Sequence, residues 1–192
     1  GGGVGRFAMS AVVELPAGID RAGVVAVLGA VVDRHEVLRA RLVADGLVVG
    51  GRGSVDVAGL LSVAAAGADV QEELDRAAGL LDPSAGVMVR FVWFADAGRL
   101  LVVVHHLVVD GVSWRILLPD LAQAWAGVRS GGVAELEAPV TSVRRWSHAL
   151  VEDAVRPERV AELAWWSSVV EGPDPLLGSR ALDPARDTQA TV

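Results

Sequence analysis

The sequence predicts a layered α/β sandwich, in which helices cover a mixed, largely antiparallel sheet. Strand-like and helix-like segments are interspersed along the 192 residues, which favours packed layers of both kinds. Two strand-like runs, residues 86–94 and 99–106, are joined by the loop "ADAG", which suits an antiparallel hairpin. The second run is apolar on both sides, as expected for a strand inside a covered sheet. No GxGxxG or Walker sequence occurs, so the pattern argues against a nucleotide-binding parallel sheet.

The first third of the chain predicts a strand, a helix and a second strand. Apolar side chains alternate in "FAMSAVVEL", residues 7–15, which indicates a half-buried strand. Asp20 is placed to cap a helix that ends near "DRHE", residues 33–36. Its inward residues are Val24, Leu28, Val31 and Val32. "VLRARLV", residues 37–43, predicts a strand followed by the turn "ADG", and a further short strand is predicted at residues 55–57.

Two longer helices are predicted in the middle of the chain. Residues 69–81 carry an apolar stripe opposite their charges, which is typical of a surface helix. That stripe consists of Val70, Leu74, Ala77 and Leu81. A later helix is expected to begin at Gly111 or Val112 and to bend at Pro119, where one backbone hydrogen bond is missing. Its shared face consists of Trp114, Leu117, Leu118, Leu121, Trp125 and Val128.

Two helices and a linker are predicted for the C-terminal part. The first helix covers residues 141–154, with Val143, Trp146 and Leu150 inward. The second covers residues 158–170, with Val160, Leu163 and Trp166 or Ser167 inward. From residue 172 the proline-containing sequence is typical of a linker.

Composition narrows the class of protein. The net charge of -7 lacks the basic surface that phosphate backbones demand, so nucleic acid is not an expected partner. The chain has no cysteine, which excludes disulfides and thiol catalysis. The longest apolar run, residues 22–32, is too short to cross a bilayer, and no targeting signal precedes it. We therefore expect a soluble, cytoplasmic protein that does not contact membranes.

The most informative stretch is "VVVHHLVVDGVSWRILL", residues 102–118, where two histidines interrupt an apolar strand. Adjacent strand residues point to opposite faces, so His105 and His106 do not converge on one metal ion, and no metal is predicted. A histidine titrates near pH 6.5 and can act as a base. The helix that follows Gly111 offers unpaired N–H groups to an oxyanion. The simpler alternative is that both histidines only pack in the core.

Asp110 and Gly111 stand where this strand hands over to the helix. A carboxylate at Asp110 can accept backbone N–H bonds as a helix cap, or pair with a buried arginine, and either contact would hold the loop that positions His106. Gly111 has no Cβ, so a thin substrate arm can pass close to the backbone there. The stretch therefore predicts one histidine base supported by a fixed loop.

These residues resemble a known superfamily. "HHLVVDG" fits the HHxxxDG signature of the condensation-domain superfamily of nonribosomal peptide synthetases, whose fold is similar to chloramphenicol acetyltransferase. "RHEVLRARL", residues 34–42, is similar to the upstream helix-to-strand motif of the same superfamily. The resemblance implies one lobe of a two-lobed V, with residues 1–171 as the N-terminal lobe. Residues 172–192 would then be a linker or the start of the second lobe.

Within this superfamily the chain is most similar to epimerization domains. "DGVSWR" has Val112, Ser113 and Trp114 where condensation domains usually carry Trp directly after the Asp-Gly pair. "TSVRRWSHAL" and "ELAWWSSVV" also resemble the epimerization pattern. Pro119 replaces an acidic residue that is common there, and "RHE" is closer to the condensation form. Condensation or related acyl transfer, and a non-catalytic carrier-docking module, remain the alternatives.

The resemblance also implies roles for residues. His106 would face the reaction chamber as the catalytic base, whereas His105 would face the packing. Asp110 would be structural, paired with Arg39, or else with Arg34 or Arg41. Gly111, Ser113 and Trp114 complete the motif. A second acid or base would come from the C-terminal lobe.

The substrate implied by the resemblance is an aminoacyl or peptidyl thioester on the 4'-phosphopantetheine arm of a peptidyl carrier protein. The Cα of that substrate would be deprotonated and reprotonated, and no permanently bound cofactor is expected. The implied partners are the carrier protein, the second lobe and neighbouring synthetase domains. A basic group formed by Arg144, Arg145, Arg156 and Arg159 would either contact the carrier or form a solvated helix face.

Overall fold

The computed structural model describes residues 7–173 together with residues 180 and 183. The chain divides into two compact units, Gly1–Val143 and Arg144–Val192. The predicted boundary after residue 171 stays a prediction, and most of residues 172–192 lies outside the described residues.

A four-stranded sheet forms the centre of the first unit, with the strand order β1-β6-β5-β4. The strands are β1 (Ala8–Glu14), β4 (Leu61–Val63), β5 (Val89–Phe94) and β6 (Arg99–His105). Strand β6 lies between β1 and β5 and is antiparallel to both, whereas β4 runs parallel to β5. The predicted mixed, largely antiparallel sheet with an inner strand at residues 99–106 is therefore confirmed.

Helices cover both faces of this sheet. On one face lie α1 (Arg21–Arg34) and α4 (Trp114–Arg129), which pack on the even-numbered residues of β6. On the other face lies α3 (Val70–Gly79), which packs on Leu101 and Val103. Asp20 caps α1 by accepting from the N–H of Gly23 at 2.7 Å, as predicted. The predicted inward residues of α1 and α3 are all in the two cores.

Two local predictions are wrong. The pattern of residues 37–43 predicts one strand, but Glu36–Arg39 forms a 3₁₀ helix, and β2 (Ala40–Val43) begins after it and pairs with β3 (Gly46–Val49). The pattern of residues 55–57 predicts a strand, but Asp56 accepts from the N–H of Gly59 and caps the short helix α2 (Val57–Leu60). In both places a turn of helix inserts a buried residue, Leu38 or Val57, into the core.

Helix α4 begins at Trp114, later than predicted, and continues through Pro119. Its buried residues are Leu117, Asp120 and Ala124, which follow helical spacing. The buried face therefore includes an acidic residue that the apolar pattern does not place inward. Leu118, which the same pattern places inward, is 36% exposed.

The second unit contains most of α5 (Val143–Ala154) together with α6 (Pro157–Ala161) and α7 (Leu163–Val170). The helix predicted at residues 158–170 is thus two helices. None of the three helices has a buried residue in the described chain. The residues predicted to face inward are exposed there, including Val143, Trp146, Leu150, Val160, Leu163 and Trp166.

The basic group predicted in this part is largely paired with acidic neighbours. Arg159 bonds to Asp153 at 2.7 Å and to Glu162 at 3.0 Å, and Arg156 lies 3.5 Å from Asp153. Among the described residues, no helix has both the length and the apolar character that crossing a membrane requires.

Candidate functional site

The two histidines of "HHLVVDG" lie at the end of β6 and differ in burial. His105 is the last strand residue and is fully buried, on the side of the sheet that faces α3. Its Nδ1 accepts from the N–H of Leu107 at 3.1 Å. A neutral His105 therefore carries its ring proton on Nε2. These contacts place His105 within the packed interior.

His106 follows the strand end and is partly buried. Its backbone N–H donates to the carbonyl of Phe7 at 2.8 Å, and its ring stacks on the Phe7 ring with centroids 4.4 Å apart. Among the described residues, neither ring nitrogen of His106 has a hydrogen-bond partner. Phe7 thus fixes the plane of the imidazole through one ring face, and the nitrogens remain available to another molecule.

The turn after the histidines is closed by Asp110 and Ser113. The N–H and the hydroxyl of Ser113 donate to Oδ1 of Asp110 at 2.8 and 2.6 Å, and the N–H of Asp110 donates back to the Ser113 hydroxyl at 3.1 Å. The hydrogen bonds from Ser113 lower the pKa of Asp110, because they favour the ionised carboxylate. Asp110 is therefore a cap on the turn that leads into α4, which is one of the two structural roles considered from the sequence.

The other role, a pairing of Asp110 with an arginine, is wrong in this structure. Arg39 donates instead to backbone carbonyls: Nη1 bonds to Val32 at 2.7 Å and to Asp33 at 2.6 Å, and Nε bonds to Gly50 at 3.2 Å. Its guanidinium joins the end of α1 to the end of β3, so it is already committed. The two alternative partners also fail, because Arg34 bonds to Asp120 and Arg41 is exposed on β2.

The expected oxyanion site at the start of α4 also needs correction. The N–H of Ser113 points at the Asp110 carboxylate, and a negative group there disfavours a second anion. Gly111 is exposed, and a Cβ built on it would meet no atom within 4 Å. Packing of the described chain therefore leaves open space beside Gly111, as a passing substrate arm would need. Trp114 is half-buried and packs against the core under the turn.

An ionic cluster lies next to this turn, and the sequence patterns above do not predict it. Oδ2 of Asp120 lies 2.7 Å from Nε of Arg34 and 2.7 Å from Nε2 of His35. Asp120 is 7% exposed. The signal in the sequence is one acidic residue at the spacing of the buried face of α4, together with the adjacent Arg and His at the end of α1. A cavity of about 90 Å³ lies beside the cluster, lined among others by His35, Val108 and Ser113.

The described residues contain no group of three or more histidine, aspartate or glutamate side chains arranged to hold a metal ion. The functional groups that the fold gathers here are thus the imidazole of His106, the capped turn and the buried cluster behind it.

Comparison with known proteins agrees with this architecture. A family model described as the condensation domain matches residues 5–190. The chain is 36% identical over 143 residues to a linear gramicidin synthase of Brevibacillus parabrevis, a match that covers 72% of this chain and 2% of that protein.

Among solved structures, the epimerization domain from the third module of tyrocidine synthetase B matches with a TM-score of 0.76 and 24% identity, over 90% of this chain and 42% of that one. The X-domain from teicoplanin biosynthesis matches with a TM-score of 0.72 and 22% identity, over 91% and 41% of the two chains. The chain thus spans less than half of the solved domains that share its fold. With the family model covering nearly all of its length, the chain belongs to the condensation-domain family.

Proposed function

We propose that this chain is part of an epimerization domain of a nonribosomal peptide synthetase. The reaction inverts the Cα of an aminoacyl or peptidyl group held as a thioester on the 4'-phosphopantetheine arm of a peptidyl carrier protein. His106 takes the α-proton, the electron pair of the C–H bond moves into the thioester enolate, and a proton then returns to the opposite face of Cα. The carrier protein and neighbouring synthetase domains are the partners of this reaction.

The observation that carries this proposal is the state of His106. Its ring is held on Phe7, it is partly exposed, and neither nitrogen has a hydrogen-bond partner among the described residues. A general base needs a free nitrogen within reach of the substrate proton and a fixed orientation. His105 lacks this freedom, because it is fully buried and its Nδ1 is bonded to the backbone.

The other motif residues support the base. Asp110 and Ser113 close the turn after His106, Gly111 leaves space for the pantetheine arm, and Trp114 anchors the first turn of α4 in the core. The group that acts on the opposite face of Cα belongs, in this proposal, to a second lobe. The 42% share of the matching epimerization-domain structure leaves room for such a lobe.

Solvent exchange tests this function directly. The polypeptide that contains this chain is mixed in D₂O with a carrier protein loaded with an L-aminoacyl thioester, and deuterium at Cα is followed by mass spectrometry. We expect deuterium to enter with the native chain and the rate to fall by about 100-fold or more with His106→Ala. His148→Ala, which changes an exposed histidine of α5, is the matched control and should leave the rate unchanged.

Peptide-bond formation is the second candidate, favoured by the family description and by the "RHE" sequence at residues 34–36. In that case two loaded carriers would yield an amide product that depends on His106, without deuterium at Cα. Carrier binding that survives His106→Ala, with neither exchange nor amide product from the native chain, would indicate a docking module.

A further inference from the structure

A buried charged cluster joins the two helices that cover one face of the sheet. Asp120 is on the inner side of α4, between Leu117 and Ala124, which are both buried. Arg34 is in the last turn of α1, and His35 is the residue that ends this helix. The side chain of Asp120 is 11% exposed, that of His35 is 20% exposed and that of Arg34 is 24% exposed. The cluster is therefore mostly shielded from water.

Both partners bond to the same oxygen of Asp120, each at 2.7 Å. A carboxylate oxygen only accepts, so His35 must carry a proton on Nε2. Burial lowers the pKa of His35, against the opposing effect of Asp120, which favours the neutral ring near pH 7. Arg34 then supplies the positive charge that balances Asp120, and His35 supplies a second directed hydrogen bond.

This cluster lies next to the turn that follows His106. Asp120 is seven residues after Ser113, about two helical turns along α4. His35 and Ser113 line the same small cavity, together with Val108 from the loop. The rest of the contact between α1 and α4 is apolar, and apolar packing is not directional. Two short bonds to one oxygen fix the rotation and the height of α4 relative to the end of α1.

We propose that Asp120 is a positioning residue, which holds α4 through Arg34 and His35 and so sets the place of the Asp110–Ser113 turn and of His106. It does not touch the substrate and acts only through the helix. What the positioned histidine does rests on the proposed function, but the positioning itself does not. Its effect on His106 can therefore be measured without any substrate.

The test compares two buried carboxylates of the full chain. Asp120→Asn keeps the shape of the side chain and removes its charge. Glu73→Gln is the matched control, because Glu73 is also 7% exposed and bonds to Arg76 at 2.5 Å, but lies on α3 at the opposite face of the sheet. NMR spectra of the isotope-labelled chain report the ring signals of His106 and the amide signal of Gly111, and circular dichroism reports folding.

We expect Asp120→Asn to shift the signals of His106 and Gly111 while the variant stays folded, and Glu73→Gln to leave both signals unchanged. Equal shifts in the two variants, or none in Asp120→Asn, would overturn the proposal. If Asp120→Asn does not fold, the pair His35→Gln and His35→Leu decides the question. Glutamine keeps an N–H donor for Asp120 and should retain the His106 signals, whereas leucine should shift them, and identical spectra for these two variants contradict the proposal.

The exchange assay adds a second readout. With Asp120→Asn we expect the rate of deuterium entry at Cα to fall by about tenfold, since small misplacement of a catalytic group is costly, with an unchanged KM for the loaded carrier. Glu73→Gln should retain the native rate. Absence of exchange in the native chain counts against the proposed function alone, because the NMR comparison still decides the role of Asp120.

Discussion

Asp110 and Ser113 hold each other in a closed ring of hydrogen bonds, in which the serine hydroxyl donates to the carboxylate and accepts from the aspartate N–H. The N–H of Ser113 donates to the same carboxylate oxygen. This ring is local in sequence, so it forms wherever the turn forms. It explains how "DGVS" can fix the loop after His106 without a distant arginine.

Replacing Ser113 with alanine should raise the pKa of Asp110 towards its ordinary value of 3.8, because the two bonds that favour the carboxylate are weakened or lost. A lowered pKa in the folded chain gives stability that is present above about pH 4 and is lost as the pH falls through the folded pKa. The variant should therefore show a smaller loss of stability on acidification. An NMR titration of the Asp110 carboxyl carbon measures the change.

Ser130→Ala is the control for this substitution. The Ser130 hydroxyl donates to the carbonyl of Gly127 at 2.8 Å, at the other end of α4. It removes a hydroxyl of the same kind without touching the turn. A titration of Asp110 that is the same in native chain and Ser113→Ala, or that moves equally in Ser130→Ala, would contradict the assigned role of Ser113.

Much of the fold follows from short-range patterns in the sequence. Alternation in β1, the apolar inner strand β6 and the aspartates that cap α1 and α3 are visible directly, and the structure contains them all. The errors occur where a tertiary demand outweighs local pattern. Residues 36–39 contain Val and Leu, which suit a strand, but the chain there must end α1 and bury Leu38, and it does so with a 3₁₀ turn.

The candidate site could be predicted only in part, for a similar reason. The opposite orientation of neighbouring strand residues, which follows from strand geometry, gives His105 and His106 their different surroundings. The partner of an arginine is a matter of long-range geometry that no local pattern contains. Arg39 is therefore a plausible partner of Asp110 in the sequence, although it bonds to three carbonyls in the structure, and Arg34 meets Asp120 across 86 residues of sequence.

His35 should make stability depend on pH near neutrality. Burial lowers its pKa below 6.5, so the unfolded chain binds the proton more readily than the folded chain. Stability is then lost as the pH falls below about 6.5, and it increases with pH through this range. His35→Gln should flatten the dependence between about pH 5.5 and 7.5, whereas His148→Gln, at an exposed site, should not. Urea unfolding at the two pH values provides the comparison, and an unchanged slope in His35→Gln would refute it.

Arg39→Lys should destabilise the first unit, although the charge is kept. The planar guanidinium reaches the carbonyls of Val32, Asp33 and Gly50 together, and a single ammonium cannot reproduce that geometry. We expect a loss of about 1–3 kcal/mol in the free energy of unfolding. Arg41→Lys, two residues along on the exposed side of β2, should cost less than about 0.5 kcal/mol.

The same pair of variants tests the corrected role of Asp110. Since Arg39 does not contact Asp110, Arg39→Lys should leave the titration of the Asp110 carboxyl unchanged while it lowers stability. A shift of that titration in Arg39→Lys, absent in Arg41→Lys, would restore the ion pair that the sequence suggested.

Leu28→Ala should be one of the costlier core substitutions. Leu28 is 0% exposed and lies in α1 under the sheet, so its removal leaves a cavity and should cost about 2–5 kcal/mol of unfolding free energy. Leu80→Ala is the matched leucine control, at 52% exposure after the end of α3, and should cost less than about 1 kcal/mol. Equal losses in chemical denaturation would mean that α1 does not pack on the sheet as described.

The glycines Gly29 and Gly127 both lie inside helices, in α1 and α4, and should respond to alanine in opposite directions. A Cβ at Gly29 would meet no atom within 4 Å, so alanine gains helix propensity and should stabilise the chain by about 0.5–1 kcal/mol. A Cβ at Gly127 would lie 2.8 Å from the carbonyl oxygen of Val133, which is backbone and cannot rotate away. Gly127→Ala should therefore lower the thermal midpoint, and Gly29→Ala should raise it. A rise in both variants would show that the segment after α4 does not pass over Gly127.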